Sequence, residues 1–400
     1  MHDRRAILKT AGGAVLLAAG GWRASAAEAA TIDLGFANGT RELVAYPGKR
    51  PLIRLTTRPP QLETPLQLLG DAITPNDAFF VRYHLSDAPP VALDDRAHRL
   101  TVTGAVSRPL NLSVPDLKRL PSAEITAVLQ CAGNSRGFSS PRVAGGQLGH
   151  GAVGNARWRG VSLKLLLERA GVSASARSAS FDGLDQPPID GLPDFVKGLD
   201  ITHAMDGDVM VAYAMNGADL PILNGFPLRL VVPGHYGTYW VKHLSTITVL
   251  DAPFDGYWNK TAYRIPDNDC ACVAPGTKPD KTRPIGRYNV RSLITSIADG
   301  ARIKAGSLTV SGIAFDGGTG IARVELSPDG GQTWQAAALG PDLGRYSFRT
   351  WQAVVTLGGG AHQLMARATA NSGETQPMAA VWNPAGYMRN VVEAVRVVAA

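Results

Sequence analysis

The residues best suited to chemistry gather around one cysteine. An apolar, strand-like run ends at Cys131, and the small, flexible segment CAGN leads on to Arg136. A soft thiolate ligand beside an anion-binding guanidinium suits an oxidoreductase that handles an oxyanion at a metal. The competing reading is a buried, inert thiol at a strand end. In the stretch Asp77 to Leu85, alternation puts Arg82 and His84 on one strand face. Arg229 and Lys242 flank a glycine-containing turn at Gly234 to Gly237, where two cations beside backbone N–H groups suit a phosphate or pyrophosphate. A solvated strand edge explains that pair equally well.

The elements that must position these groups are mostly short. The 400 residues include 44 glycines and 27 prolines, which favours many turns and short strands in two or three domains. Residues 27–70 read as a proline-rich, irregular wrapping segment. HRLTVTGAV alternates as a strand, and Ser113 before PDLKRL predicts a capped short helix. Leu163, Leu166, Leu167 and Ala170 fall at helical spacing, with Ser162 to cap the start and Gly171 the end. Asn216-Gly217 marks a hairpin. From about residue 287 the texture changes to short alternating strands at regular intervals, with Pro328 to Gly331 a hairpin turn. That pattern predicts an immunoglobulin-like β-sandwich without an internal cysteine pair.

The net charge is +7. Residues 1–26 hold Arg4, Arg5, Lys9 and Arg23 against Asp3, which leaves about +4 for the rest, and no basic run resembles a nucleic-acid arm. A focused pocket for a small anion fits that balance better. Arg4-Arg5, the apolar stretch Ala11 to Gly21 and the small residues Ala24-Ser25-Ala26 predict a twin-arginine export signal over 1–26, hence a periplasmic mature chain with no membrane span. Of three cysteines, Cys270 and Cys272 would close only a very small ring if paired, so they are expected as loop thiols. There is no C-x-x-C-H and hence no covalent c-type haem in this chain, so electrons must leave through a partner.

Several ordered motifs, FFVRYHL, LQCAGNSR, GAVGNARWRGVSL, GFPLRLVVPG, YWVKHL, YWNKTAYR and SPDGGQTW with its closing WNP, make the chain resemble the sulfite oxidase family of molybdenum enzymes, most of all its exported bacterial members. The resemblance implies an α+β molybdopterin domain over 27–286 and an immunoglobulin-like dimerisation domain over 287–400. It implies a molybdenum–molybdopterin cofactor with Cys131 as the protein's ligand to the metal. Its pterin pocket maps onto Phe80, Val81, Arg82, Tyr83 and His84, onto Asp185, Asn224 and Arg229, and onto Trp240, Val241 and Lys242. Asn224 stands where many members have histidine. Arg82, Arg136 and Tyr263 would hold and protonate the substrate, with His84 beside them and Arg389 as a further anion-binding arginine. The implied reaction is oxidation of sulfite to sulfate, with electrons passed to a c-type cytochrome and a homodimer formed through the sandwich. A sulfane dehydrogenase of a thiosulfate-oxidising complex and a methionine sulfoxide reductase are the alternatives.

Overall fold

The computed structural model describes residues 30–85 and 93–400. The expected export signal lies outside the described residues. Among the described residues strands dominate and the helices are few and short, the longest, Leu163–Ala170, having eight residues.

Within the expected irregular wrap of 27–70, the described residues 30–70 are not irregular as their prolines suggest. Thr31–Asp33, Thr40–Val44, Leu52–Thr56, Gln61–Glu63 and Val81–Arg82 form a five-strand antiparallel sheet. The strands are only two to five residues long, too short for alternation to show against the prolines between them. The expected strand around Asp77 to Leu85 is reduced to Val81–Arg82, the last strand of this sheet.

Two further sheets build the body of the first domain. One carries Lys197–Asp200, Ser178–Asp182, Thr246–Leu250, Arg99–Gly104 and Leu110–Ser113 in that order, antiparallel except for the parallel pair Thr246–Leu250 and Arg99–Gly104. The other runs Ala218–Asp219, Met210–Met215, Val153–Ser162, Ala123–Gln130, with Arg229–Val231 also paired to Met210–Met215. Val153–Ser162 pairs with Ala123–Gln130 over the full length of the shorter strand, and Cys131 follows where that pairing ends. The anchor is apolar: Trp158 and Ala127 are fully buried, and the Trp158 indole donates to the Ala127 carbonyl at 3.0 Å.

Local signals fared unevenly. Ser113 makes a full capping box with Asp116. The helix Leu163–Ala170 buries the four expected apolar residues and ends on Gly171 at φ +69, but Ser162 makes no capping hydrogen bond. Asn216 and Gly217 both take positive φ between two strands, as a tight hairpin turn requires.

The C-terminal domain is the predicted sandwich. One sheet orders Arg291–Ile294, Gly306–Phe315, Arg349–Leu357 and Ala338–Leu339. The facing sheet orders Ala301–Ile303, Ala394–Ala399, Gly360–Ala370, Ile321–Ser327 and Gln335–Ala336. Tyr288, Phe315, Tyr346 and Phe348 leave its own core and join that of the first domain. The sandwich therefore keeps its own core while part of it packs into that of the first domain, which lets it reach the site. Cys270 and Cys272 are not free thiols: they form a disulfide, which corrects the expectation. Ala271 between them takes φ +49, the backbone turn that brings the two sulfurs together.

Candidate active site

A cleft opens in the first domain, and Cys131 lies on its wall. The cysteine is held by backbone geometry on both sides. Its N–H donates to Ala152 O at 2.9 Å, its carbonyl accepts from Asn134 N at 3.0 Å, and the Asn134 amide oxygen accepts from Ala152 N at 3.0 Å. Asn134 is fully buried, so the small residues after Cys131 form a rigid turn.

Around Cys131 the cleft gathers Phe80, Arg82, His84, Asp185, Asn224, Arg229, Trp240, Lys242 and Tyr263, all anticipated from sequence. Arg229 and Lys242 face each other across an isolated antiparallel bridge that closes the Gly234 turn. The Arg229 guanidinium lies 5.5 and 5.7 Å from the rings of Trp158 and Trp240 and donates to Asn224 O at 2.8 Å. Lys242 donates to the Arg82 carbonyl and sits 3.7 Å from the centre of the Tyr83 ring. Burial, with Arg229 nearby, pushes the Lys242 ammonium down to about 7, while Asp185 opposes the shift. Burial likewise raises the Asp185 carboxyl against the pull of Lys242.

Arg82, Arg229 and Lys242 therefore face one carboxylate, Asp185, in a largely buried cleft. Arg229 Nε and the Thr238 hydroxyl are buried on its wall with no hydrogen-bond partner among the described residues. Surplus cations, unsatisfied donors and one soft sulfur are what an anionic, phosphate-bearing cofactor with a thiophilic metal would engage. The residues present fit the group.

His84 and Tyr263 form the second feature. The His84 Nε2 and the Tyr263 hydroxyl are hydrogen-bonded, and the imidazole stacks on Phe195 at 4.3 Å and 12°. Burial first, then the cations Arg82 and Lys242, hold His84 well below the usual histidine range. The ring is thus neutral at neutral pH, and in the tautomer that leaves Nε2 unprotonated it accepts the phenol's hydrogen bond. Burial raises the Tyr263 phenol above its ordinary value, against a smaller pull from Arg82.

Other expected residues lie elsewhere. Val81 and Tyr83 face away from the cleft, into a small core with Leu52 and Leu62, where the Tyr83 hydroxyl meets His243 Nε2 at 2.9 Å. Val241 is buried and serves the sheet through its carbonyl, which accepts from Leu230 N. Arg136 is buried behind the cleft wall: Nε donates to Ala385 O at 2.8 Å, and its guanidinium lies 4.9 Å from the Tyr387 ring centre. Arg389 does not enter the cleft. It forms a two-pronged pair with Glu393 at 2.8 and 2.9 Å and packs over Phe138, away from the residues it was expected to join. Only the family resemblance suggested Arg389 for the pocket, and a glutamate four residues on takes its charge.

Three contributors were missed. Lys49, in the N-terminal sheet region, donates to the Asn224 side-chain oxygen at 2.6 Å and to Phe79 O at 2.9 Å. It thereby fixes the Asn224 amide so that its nitrogen donates to Phe80 O. Burial pushes Lys49 down to about 7. Lys197 lies 5.4 Å from the Tyr263 ring centre, also lowered to about 7 by burial. Tyr387, from the C-terminal domain, stacks on Tyr263 at 5.3 Å and 8°. A lone lysine in an irregular arm carries no signal, and Tyr387 stood unremarked inside the closing WNP segment.

Comparison with known proteins agrees with this geometry. Residues 86–258 match the oxidoreductase molybdopterin binding domain, and residues 282–399 match the Mo-co oxidoreductase dimerisation domain. Mitochondrial sulfite oxidase of Mus musculus is 35% identical over 371 residues, covering 88% of this chain and 66% of that protein. Sulfite oxidase of Gallus gallus is 35% identical over 361 residues, covering 86% of this chain and 77% of that one. The crystal structure of the sulfane dehydrogenase SoxCD from Paracoccus pantotrophus superposes with a TM-score of 0.74 at 28% identity, covering 88% of this chain and 87% of that one. With a molybdopterin-binding domain that holds a cysteine-headed cationic cleft, and a dimerisation domain after it, the chain belongs to the sulfite oxidase family of molybdenum–molybdopterin oxidoreductases.

Proposed function

We propose that this protein oxidises sulfite to sulfate and passes the electrons to a c-type cytochrome. The observation that carries the reading is the placement of the Cys131 sulfur in one cleft with Arg82, Arg229, Lys242 and the neutral His84–Tyr263 pair. The 35% identity to sulfite oxidases over most of the chain supports the same substrate.

When bound, the molybdenum–pterin group supplies two-electron redox chemistry and oxygen-atom transfer. Cys131 is its protein sulfur ligand. Arg229 and Lys242, with Asn224 and Asp185, hold the polar and anionic parts of the pterin. Arg82, whose Nη1 donates to the Tyr83 carbonyl, has its remaining donors on the cleft wall to meet a compact oxyanion. His84 keeps Tyr263 aimed by accepting its hydroxyl proton, so the pair can hold or move a proton at the phenol oxygen. Phe195, Trp258 and Tyr387 pack around that pair. They limit water there, which strengthens the field of the cations.

The paired arginines and apolar stretch near the N-terminus support a periplasmic enzyme, and the match to a dimerisation domain supports a homodimer. Sulfite-dependent reduction of ferricyanide and of a c-type cytochrome by the purified molybdenum enzyme is the test, and no turnover with sulfite sinks the proposal. The superposition on a sulfane dehydrogenase favours one alternative, oxidation of sulfane sulfur. Turnover of a sulfane donor with none of sulfite would establish it. Electron delivery to ferricyanide but to no c-type cytochrome would overturn the acceptor alone.

A further inference from the structure

Ser135 stands between the cysteine loop and Arg136, and its φ is +71, a conformation that residues with a Cβ rarely adopt. Something must hold it there. Its N–H donates to Gly149 O at 2.6 Å. Its hydroxyl meets Arg291 Nη2 at 2.5 Å and His150 Nδ1 at 2.7 Å. Arginine only donates, and Arg291 Nη2 also meets His150 Nδ1 at 3.3 Å, so that nitrogen accepts, Arg291 gives to the serine oxygen and the serine hydroxyl gives to the histidine.

Arg291 begins the first strand of the C-terminal sandwich, and only 1% of its surface is exposed. Its charge faces Glu393 at 3.5 Å, and Glu393 is shared with Arg389. Its Nε and Nη1 have no hydrogen-bond partner among the described residues. Burying a guanidinium with two idle donors is costly, and an apolar side chain would pack more favourably. What the arginine contributes is the donor that reaches Ser135.

The next residue shows what that contact controls. The Arg136 guanidinium is wedged between Gly133 and Gly145, where an added Cβ would come within 2.8 and 2.7 Å of it. It lies over Tyr387, and Tyr387 stacks on Tyr263 at the cleft. With clearances this small, a turn at Ser135 that relaxed toward ordinary φ would displace Arg136 and, through Tyr387, disturb Tyr263.

We propose that Arg291 is a positioning residue of the active site: from the C-terminal domain it holds Ser135 in its left-handed turn and so sets the Cys131–Arg136 loop against Tyr387 and Tyr263. This rests on the reading of the cleft as the site of sulfite oxidation. It ties the sandwich to the chemistry as well as to dimerisation.

The test uses the molybdenum-loaded enzyme and four variants: Arg291→Gln, Ser135→Ala, Ser135→Gly and the double variant Arg291→Gln/Ser135→Gly. Measured for each are kcat and KM for sulfite with ferricyanide, molybdenum per chain, thermal midpoint and hydrogen-exchange protection over 131–138. Arg291→Gln and Ser135→Ala are expected to raise KM about tenfold or more at unchanged molybdenum content, since small misplacements cost that much. Both also lose protection over 131–138. In the double variant, KM and protection return toward wild type, because glycine takes positive φ without strain. The thermal midpoint stays low, since the buried charge network remains broken.

A fall in thermal midpoint with unchanged KM and protection would overturn the proposal, as would failure of Ser135→Gly to rescue. If Arg291→Gln does not fold, Ser135→Ala, which keeps the arginine, decides the matter alone. A wild-type enzyme inert toward sulfite would refute the substrate reading, while the exchange pattern would still decide the role of Arg291.

Discussion

Cys131 and the His84–Tyr263 pair make the sharpest demands on single side chains. Cys131→Ser replaces a soft sulfur with a hard oxygen of similar size. Sulfite turnover is expected to vanish while the thermal midpoint and circular dichroism stay near wild type. Tyr263→Phe leaves the aromatic stack and removes the hydroxyl bonded to His84. Steady-state assays are expected to show kcat reduced roughly a hundredfold, in the range of a lost acid–base group. The acid limb of kcat/KM follows from His84. Burial and adjacent cations depress its proton affinity, so it stays neutral as pH falls through the ordinary histidine range. Activity is therefore retained below pH 6.5 and lost only at more acid values, where protonation removes the acceptor of the phenol's proton. A limb at or above the ordinary histidine value would argue against His84 as that acceptor.

At the scale of elements, two contacts hold the cleft's frame. Gly160 sits opposite Ala212 where strand Val153–Ser162 pairs antiparallel with strand Met210–Met215, and an added Cβ would come within 2.1 Å of Val211 O. The obstacle is backbone, so Gly160→Ala must spread two central strands. Denaturant unfolding is expected to show a loss of about 1–3 kcal/mol, typical of overpacking. The second contact joins the N-terminal sheet region to the cofactor cleft. Lys49→Met removes the donor that orients the Asn224 amide and leaves that oxygen buried without a partner. The expected result is less molybdenum and pterin per purified chain, measured by metal analysis. Full occupancy would show that Asn224 keeps its orientation unaided.

The molecule as a whole buries several histidines in neutral form. His84, His150, His235 and His243 are all lowered by burial, His150 to about 4 and the last two to about 3. In the unfolded chain they protonate near pH 6.5, while in the folded chain they resist, so the unfolded state binds more protons as pH falls. Their stabilising contribution is complete above about 6.5 and is lost progressively as pH drops toward the folded values. Melting temperature against pH is expected to decline on the acid side beginning near that value. Because bound cofactor engages only the folded cleft, enzyme purified from cells unable to make the pterin is expected to melt lower than the loaded form.

Some features were legible in the order of residues because their causes are local. The hairpin at Asn216-Gly217, the capping box at Ser113, the apolar face of Leu163–Ala170 and the period-two strands of the sandwich each follow from contacts a few residues apart. The family motifs carried the cysteine, the cofactor and most of the cleft in the same way, since backbone turns and short strands hold those residues within their own segments. What required the tertiary structure were the pairings across long separations. The first sheet forms from strands too short to show alternation. Lys49 finds Asn224 from 175 residues away. Glu393 captures Arg389 and keeps it from the cleft, while Tyr387 and Arg291 arrive from the other domain. Charge placement also belongs to the fold, because burial and the neighbours it assembles decide whether a lysine, a histidine or a phenol keeps its ordinary proton. At Cys131 the two meet: its residue type and motif name a metal ligand, and the packed cations around it supply the setting in which that sulfur can serve as one.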